Sequence, residues 1–232
     1  MKVEQISEHI WSIRSWMLIP VHVWAVADDE GVTLVDAGMP FMAKGIEKAV
    51  DQLGAGPLRR ILLTHGHSDH TGSVKALVER YAIPVYAHRT EIPYMEGQLA
   101  YPGRRKAEKN VAPGLAEALK ENEDGQLLTV AGLRPCLTPG HSPGHVVYFH
   151  EEDQVLLAGD LFTSKKGKLH RPMPMFTADM GEAVRSSVIV KKLAPRRLEV
   201  CHGGPVMDAA AQLDEYVQKT AKAYSIDLGI AF

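Results

Sequence analysis

The run Thr64-His65-Gly66-His67-Ser68-Asp69-His70 places four side chains able to bind a metal within six consecutive positions. Three further candidates stand alone in turn-like settings: His141 in Thr138-Pro139-Gly140-His141-Ser142-Pro143-Gly144-His145, Asp160 in Ala158-Gly159-Asp160-Leu161-Phe162, and His202 in Cys201-His202-Gly203-Gly204. The set is five imidazoles and two carboxylates. A lone His is usually a surface or satisfied core residue, and a single His-x-His means little. The full run behind an apolar stretch, followed by three more ligands, points to metal-assisted hydrolysis.

The rings of His65 and His67 fall on the same side of an extended segment and can grip one ion, which His141 would complete as a three-His site. Asp69 and His70 stand at the start of the next helix and can turn to a second ion, completed by His202. Asp160, with two carboxylate oxygens, can bridge both. Asp69 and Asp160 are therefore the candidate catalytic carboxylates as well as ligands. Positions remain open for water and substrate, as a catalytic centre requires. Two divalent ions set against two aspartates and a hydroxide leave a net charge of about +1, which suits a developing oxyanion. Water shared by the ions would deprotonate near neutral pH and serve as the nucleophile. No cysteine sits among the seven, and the nitrogen and oxygen donors fit zinc first, with manganese, iron or cobalt as alternatives.

The elements around these residues must deliver them to one place. Strands are expected at His9–Ser15, Val21–Ala27, Val32–Asp36, Arg60–Leu63, Pro84–Ala87, Leu127–Val130, Arg134–Leu137, Val146–His150, Val155–Ala158 and Leu198–Cys201. Helices are expected over Met42–Leu53, Thr71–Tyr81, Glu182–Leu193 and Asp208–Tyr224, from apolar residues at helical spacing. Residues Glu91–Gln126, with Pro93, Pro102, Pro113 and many charges, read as a helical insertion. The candidate ligands all lie at strand ends or in the turns that follow, where sites belong. Two runs of strands, each followed by helices, pack naturally as a four-layer αββα sandwich: a single α/β domain over residues 1–232 with the insertion at about 91–126.

Composition narrows the partners. Lys and Arg number 26 against 28 Asp and Glu, so no global field favours nucleic acid or membranes. The polar N-terminal segment lacks the apolar stretch of a signal peptide, and no apolar run could span a bilayer. Two cysteines, Cys136 and Cys201, imply no disulfide framework and fit a reducing cytoplasm. Strand alternation would turn Cys201 away from the metals if His202 faces them.

The motifs Leu34-Val35-Asp36-Ala37-Gly38, Thr64 to His70, Thr138 to His145, Gly159-Asp160 and His202-Gly203-Gly204 resemble, in order and over most of the chain, the metallo-β-lactamase-fold hydrolases. The resemblance implies an αββα fold with a dinuclear centre between the sheets and the ligand assignment given above. The zinc β-lactamases lack an Asp at the position of Asp160, and flavodiiron oxidoreductases carry Glu in place of His67. The glyoxalase II-like and lactonase branches keep all seven residues. Glyoxalase II enzymes carry a basic loop after the Gly-Asp, which Lys165, Lys166 and Lys168 resemble in character. Acyl-homoserine lactonases place a Tyr three residues after the bridging Asp, where this chain has Thr163.

The expected activity is hydrolysis of a small-molecule lactone or thioester. Trp16, Met17, Met173, Met175 and Phe176, with Tyr94 and Tyr101 of the insertion, are candidates to line a pocket for an apolar acyl chain, and Lys168 to meet an anionic carrier. A homodimer interface is the other reading of these apolar loops. Asp36 is expected to orient a ligand or the loop that bears it. His22 is read as a packed or solvent residue and His145 as structural; His88, His150 and His170 receive no special role, although the loop of His170 is expected to approach the groove. The rival readings are a mononuclear iron persulfide dioxygenase, which the fold also resembles, and a phosphodiesterase, which the lack of a basic patch disfavours.

Overall fold

Runs of β-branched and aromatic residues extend the first third of the chain into a sheet that a computed structural model, which describes residues 1–228, shows in full. Its seven strands lie in sequence order: β1 (Lys2–Gln5), β2 (Ile10–Trp16), β3 (Pro20–Asp28), β4 (Gly31–Val35), β5 (Leu58–Leu62), β6 (Val85–Ala87) and β7 (Ala116–Ala118). The first four pair antiparallel through tight turns, and β4 to β7 pair parallel. Parallel neighbours need crossovers. These are α1 (Ala43–Leu53) between β4 and β5, and the pair α2 (Ser68–Thr71) and α3 (Val74–Tyr81) between β5 and β6.

The second sheet has the order β14-β13-β10-β9-β8, built from β8 (Leu133–Leu137), β9 (Val146–His150), β10 (Val155–Leu157), β13 (Arg197–Glu199) and β14 (Val206–Met207). Between β10 and β13 lie a separate hairpin, β11 (Thr163–Lys165) with β12 (Lys168–His170), and the helices α5 (Met180–Ser186) and α6 (Ile189–Leu193). α7 (Ala209–Tyr224) closes the described chain, and the last four residues of the expected domain, 229–232, lie outside the described residues.

Alternation along β9 shows how the layers stack. Val146 and Tyr148 join the core shared with the first sheet, together with Trp24, Leu34 and Leu62. Val147 and Phe149 face the opposite core, with Val184, Leu213 and Val217 of the outer helices. Every β9 side chain is buried, as expected of a strand covered on both faces. Ile46, Val50 and Leu77 of α1 and α3 cover the first sheet. The architecture is the expected αββα sandwich.

Several details differ from expectation. Glu91–Gln126 is not a helical insertion: it holds a single four-residue helix, α4 (Ile92–Met95), and the edge strand β7, and otherwise runs as turns. Pro102 and Pro113 cannot donate helical hydrogen bonds, whereas Pro93 sits in the first turn of α4, where proline is tolerated, and Glu91 and Glu96 turn inward to accept loop N–H groups. Leu127–Val130 makes only isolated bridges. The helices expected at Thr71–Tyr81 and Glu182–Leu193 are each broken in two.

Candidate metal centre

The crossover after β5 carries the His-rich run. His67, extended at φ −69 and ψ 155, precedes α2, so His65 and His67 stay in the loop while Asp69 and His70 ride on the helix. The loop before β9 carries His141, the turn after β10 carries Asp160, and the bend after β13 carries His202. All seven candidates meet at one end of the two sheets.

They meet as two groups. His67 Nδ1 lies 2.9 Å from His65 Nε2 and 3.0 Å from His141 Nε2. In the other group, His202 Nε2 lies 3.0 Å from Asp69 Oδ2, and His70 Nε2 lies 3.8 Å from the same oxygen. Asp160 stands between: Oδ2 is 3.4 Å from both His141 Nε2 and His202 Nε2, and Oδ1 is 3.6 Å from His70 Nε2. Bonds of about 2.0–2.1 Å to a tetrahedral ion put its ligand atoms about 3.3 Å apart, a value that the separations here, 2.9 to 3.8 Å, bracket. His70 Nε2 and Asp160 Oδ1 are buried without a hydrogen-bond partner among the described residues. Groups in that state are rare unless something else satisfies them, and a cation would. The donor set fits a divalent metal pair.

The remaining ring nitrogens are tied down. His70 Nδ1 meets Asp36 Oδ2 at 2.8 Å, and His202 Nδ1 donates to the Pro20 carbonyl at 2.9 Å. His65 Nδ1 meets Thr64 Oγ1 at 3.1 Å, and His141 Nδ1 meets Thr177 Oγ1 at 3.2 Å. Such contacts fix tautomer and ring orientation. Asp36 takes the role expected of it. Buried, and in the left-handed region at φ 64, it also accepts the Thr64 backbone N–H at 2.8 Å. His145 is structural as expected: its Nε2 accepts the Asp160 N–H at 3.2 Å.

Electrostatics divide the groups. Burial, with the positive charge of His70, holds His65 well below the usual imidazole range and His67 at about 4, and burial likewise lowers His141. The lowered values favour the neutral form of these rings, with lone pairs to offer a cation. Burial works against charge on Asp69 and Asp160, but the positive charge of neighbouring His70 and His202 wins, leaving Asp69 at about 2 and Asp160 well below the carboxylate range. A neutral three-nitrogen cluster beside an anionic pair can bind cations without releasing protons from those five groups.

One expectation about this region fails. Cys201 does not face away: its sulfur shares a cluster with His70, Asp160 and His202 in which one ligand atom from each lies within 4.8 Å of the others. β13 ends at Glu199, so strand alternation no longer governs 201 and 202. The sulfur also approaches the His22 carbonyl, at 3.8 Å.

A cavity of roughly 540 Å³ opens over the centre. Met17, Met173 and Phe176 line it as expected, and Leu18, Ile19, Val21, Met39, Arg104 and Glu108 join them. Trp16 and Met175 are exposed and not part of its wall. Lys168 is not there either. The hairpin bearing it leans on α7 through hydrogen bonds from Gln212 Nε2 to the Gly167 carbonyl and from the Leu169 N–H to Gln212 Oε1. His170 lines a separate shallow concavity with Thr163 and Pro174. Tyr94 and Tyr101 are not in the wall. Tyr101 is buried, donates to Glu91 Oε1 at 2.8 Å and sets its ring edge against His67. Glu91, Leu18 and Arg104 escaped sequence reasoning: nothing in their neighbours separates them from ordinary loop residues.

The family model of the metallo-beta-lactamase superfamily matches residues 16–225, and the chain belongs to that superfamily. The chain is 37% identical over 211 residues to the probable metallo-hydrolase YybB of Bacillus subtilis (strain 168), covering 89% of this chain and 93% of that protein. It is 26% identical over 148 residues to the hydroxyacylglutathione hydrolase GloC of Haemophilus influenzae, covering 62% and 68%. Among solved structures it is similar to TTHA1623 in a di-iron-bound form, with a TM-score of 0.65, 27% identity, and 84% of this chain and 93% of that one covered. The chain is thus a metallo-hydrolase-type protein with groups suited to divalent metal ions. Among the described residues no helix is long and apolar enough to cross a membrane.

Proposed function

We propose that the chain is a dinuclear metal-dependent hydrolase that cleaves a carboxylic ester-type bond, a lactone or a thioester, in a small molecule with an apolar acyl part. The observation that carries this reading is the position of Asp160 between the groups, with Oδ2 3.4 Å from both His141 and His202 and Oδ1 3.6 Å from His70, at the floor of a cavity walled by Met17, Leu18, Ile19, Met173 and Phe176. His65, His67 and His141 would hold one ion, Asp69, His70 and His202 the other, and Asp160 both, with zinc the first candidate. When bound, such ions supply Lewis-acid polarisation of a carbonyl and activation of water.

The chain's own residues supply the rest. The apolar wall takes the acyl group and excludes water from the carbonyl. Thr163 is not a substitute for the Tyr of the lactonases, because its hydroxyl donates to the Arg171 carbonyl at 2.8 Å. Arg104, the one Lys or Arg side chain among the described residues of the cavity wall, is the protein donor placed to hold an anionic or carbonyl oxygen of the substrate. Similarity to GloC supports a thioester, and the absence of Lys165 and Lys168 from the wall weighs against a glutathione carrier held by that loop.

The test is hydrolysis of an acyl-homoserine lactone and of S-lactoylglutathione by zinc- or manganese-reconstituted protein. Turnover of either supports the ester reading and chooses the substrate. Silence on both, with metal bound, overturns it and favours the oxygen-dependent chemistry of the persulfide dioxygenases.

A further inference from the structure

At the other end of the sandwich lies a second cluster of metal-binding side chains, unrelated to the groove. His9 precedes β2, and His150 ends β9 with Asp153 in the turn to β10. β2 is seven residues long and leads to Met17 in the cavity wall, so His9 is separated from the groove by about 20 Å of strand. β9 likewise begins beside the His141 loop and ends at His150.

Asp153 Oδ1 lies 2.8 Å from His9 Nδ1 and 3.6 Å from His150 Nδ1. The three residues offer ligand atoms within 4.8 Å of one another. These separations bracket the spacing of about 3.3 Å imposed by a zinc-class ion. The rings of His9 and His150 are stacked, with centroids 5.2 Å apart, and bring both nitrogens to the same carboxylate. His150 Nδ1 accepts the Asp153 backbone N–H at 3.2 Å, which turns this nitrogen toward the cluster, and an ion would take its lone pair in place of that hydrogen bond. Gly132 packs against its other nitrogen, since a Cβ there would lie 3.1 Å from Nε2, and this holds the ring with Nδ1 inward. Asp153 is almost fully buried and His9 partly open, which leaves an entry path. Glu8 and Glu152 add negative potential around His9.

We propose that His9, His150 and Asp153 form a structural site for a zinc-class divalent ion, tying the β1–β2 turn of the first sheet to the β9–β10 turn of the second. Ion binding at His9 Nδ1 displaces the proton now shared with Asp153: a neutral ring passes it to Nε2, and only a protonated ring releases one to solvent. An ion that binds only the folded chain stabilises it in proportion to the logarithm of its concentration.

The experiment is calorimetric titration of the purified protein with zinc chloride, in two buffers of different ionisation enthalpy, on the parent, His9→Ala and His9→Gln. The Gln variant keeps an amide donor for Asp153, so it preserves the turn without a good ligand. The expected result is one equivalent of zinc more in the parent than in either variant. Zinc should also give a larger rise in Tm in the parent than in His9→Gln. Equal stoichiometry and equal zinc-dependent Tm in parent and His9→Gln would overturn the proposal, leaving His9 and Asp153 as an ordinary ion pair. Neither result depends on which substrate the groove accepts.

Discussion

Glu91 Oε1 accepts the backbone N–H of Gly66 at 2.9 Å, at the midpoint of the His65–His67 grip. Its other oxygen accepts from Ser142 Oγ and the Gly144 N–H, each at 2.8 Å, in the loop that carries His141. One buried carboxylate therefore fixes the separation of the three His rings. Burial raises its pKa, and the four donors around it, counting Tyr101, oppose that rise.

Glu91→Gln replaces one accepting oxygen by an NH₂ that must face a donor. We expect a loss of about 1–3 kcal/mol in stability, the usual cost of leaving a buried partner unsatisfied. Occupancy of the three-His group should weaken more than that of the Asp69–His70–His202 group. Denaturant unfolding and stepwise cobalt titration by absorption check the two effects separately.

Asp36→Asn removes the charge that meets His70 Nδ1 while keeping the shape that accepts the Thr64 N–H. Loss of such a partner typically lowers metal affinity by about 10–100-fold. Chelator competition should show the fall in the group containing His70, and an unchanged affinity there would refute the role given to Asp36.

Asp160→Asn and His141→Ala act on the centre itself. Both should lose turnover, and both should bind less metal, measured by elemental analysis after gel filtration. Full activity with full metal content in either variant would remove the basis of the proposed function.

Phe176→Ala and Met173→Ala enlarge the cavity and should shift preference toward longer acyl chains, because a methylene in an apolar pocket is worth about 1–3 kcal/mol of discrimination. Lys168→Ala should change nothing in the same assay, since its hairpin leans on α7. Comparison of kcat/KM over a chain-length series decides both.

The His9–Asp153 contact predicts a pH effect in chelated protein. The hydrogen bond to Asp153 raises the His9 pKa, with burial opposing it. A raised folded-state pKa gives stability that is full below the unfolded value of about 6.5 and is lost as pH rises through the folded value. The parent should therefore exceed His9→Gln at pH 6 by an increment below about 1 kcal/mol, as for a partly exposed pair. The increment should vanish at alkaline pH. Urea unfolding across pH measures it.

The seven candidate ligands were legible because each sits at a strand end or helix start, where local pattern alone sets the backbone. Hydrophobic alternation and helical spacing likewise placed most strands and helices within a residue or two. Glu91 was not legible, since its role rests on partners 25 to 53 residues away. In sequence it is one carboxylate in a charged, proline-rich stretch. The same stretch was misread as helical because its polarity signals neither burial nor a period.

Cys201 shows the limit from the other side. Strand alternation is a local rule, and the strand stopped two residues short of the thiol. By itself the sequence determined the donor set, the order of the elements and the layered fold, because these follow from residue types and short-range periodicity. The tertiary structure alone decided how the seven side chains are spaced, which apolar loops reach the groove and where Lys168 and Cys201 point. Those depend on how the two sheets and their loops pack across more than a hundred residues, and no local pattern encodes such distances.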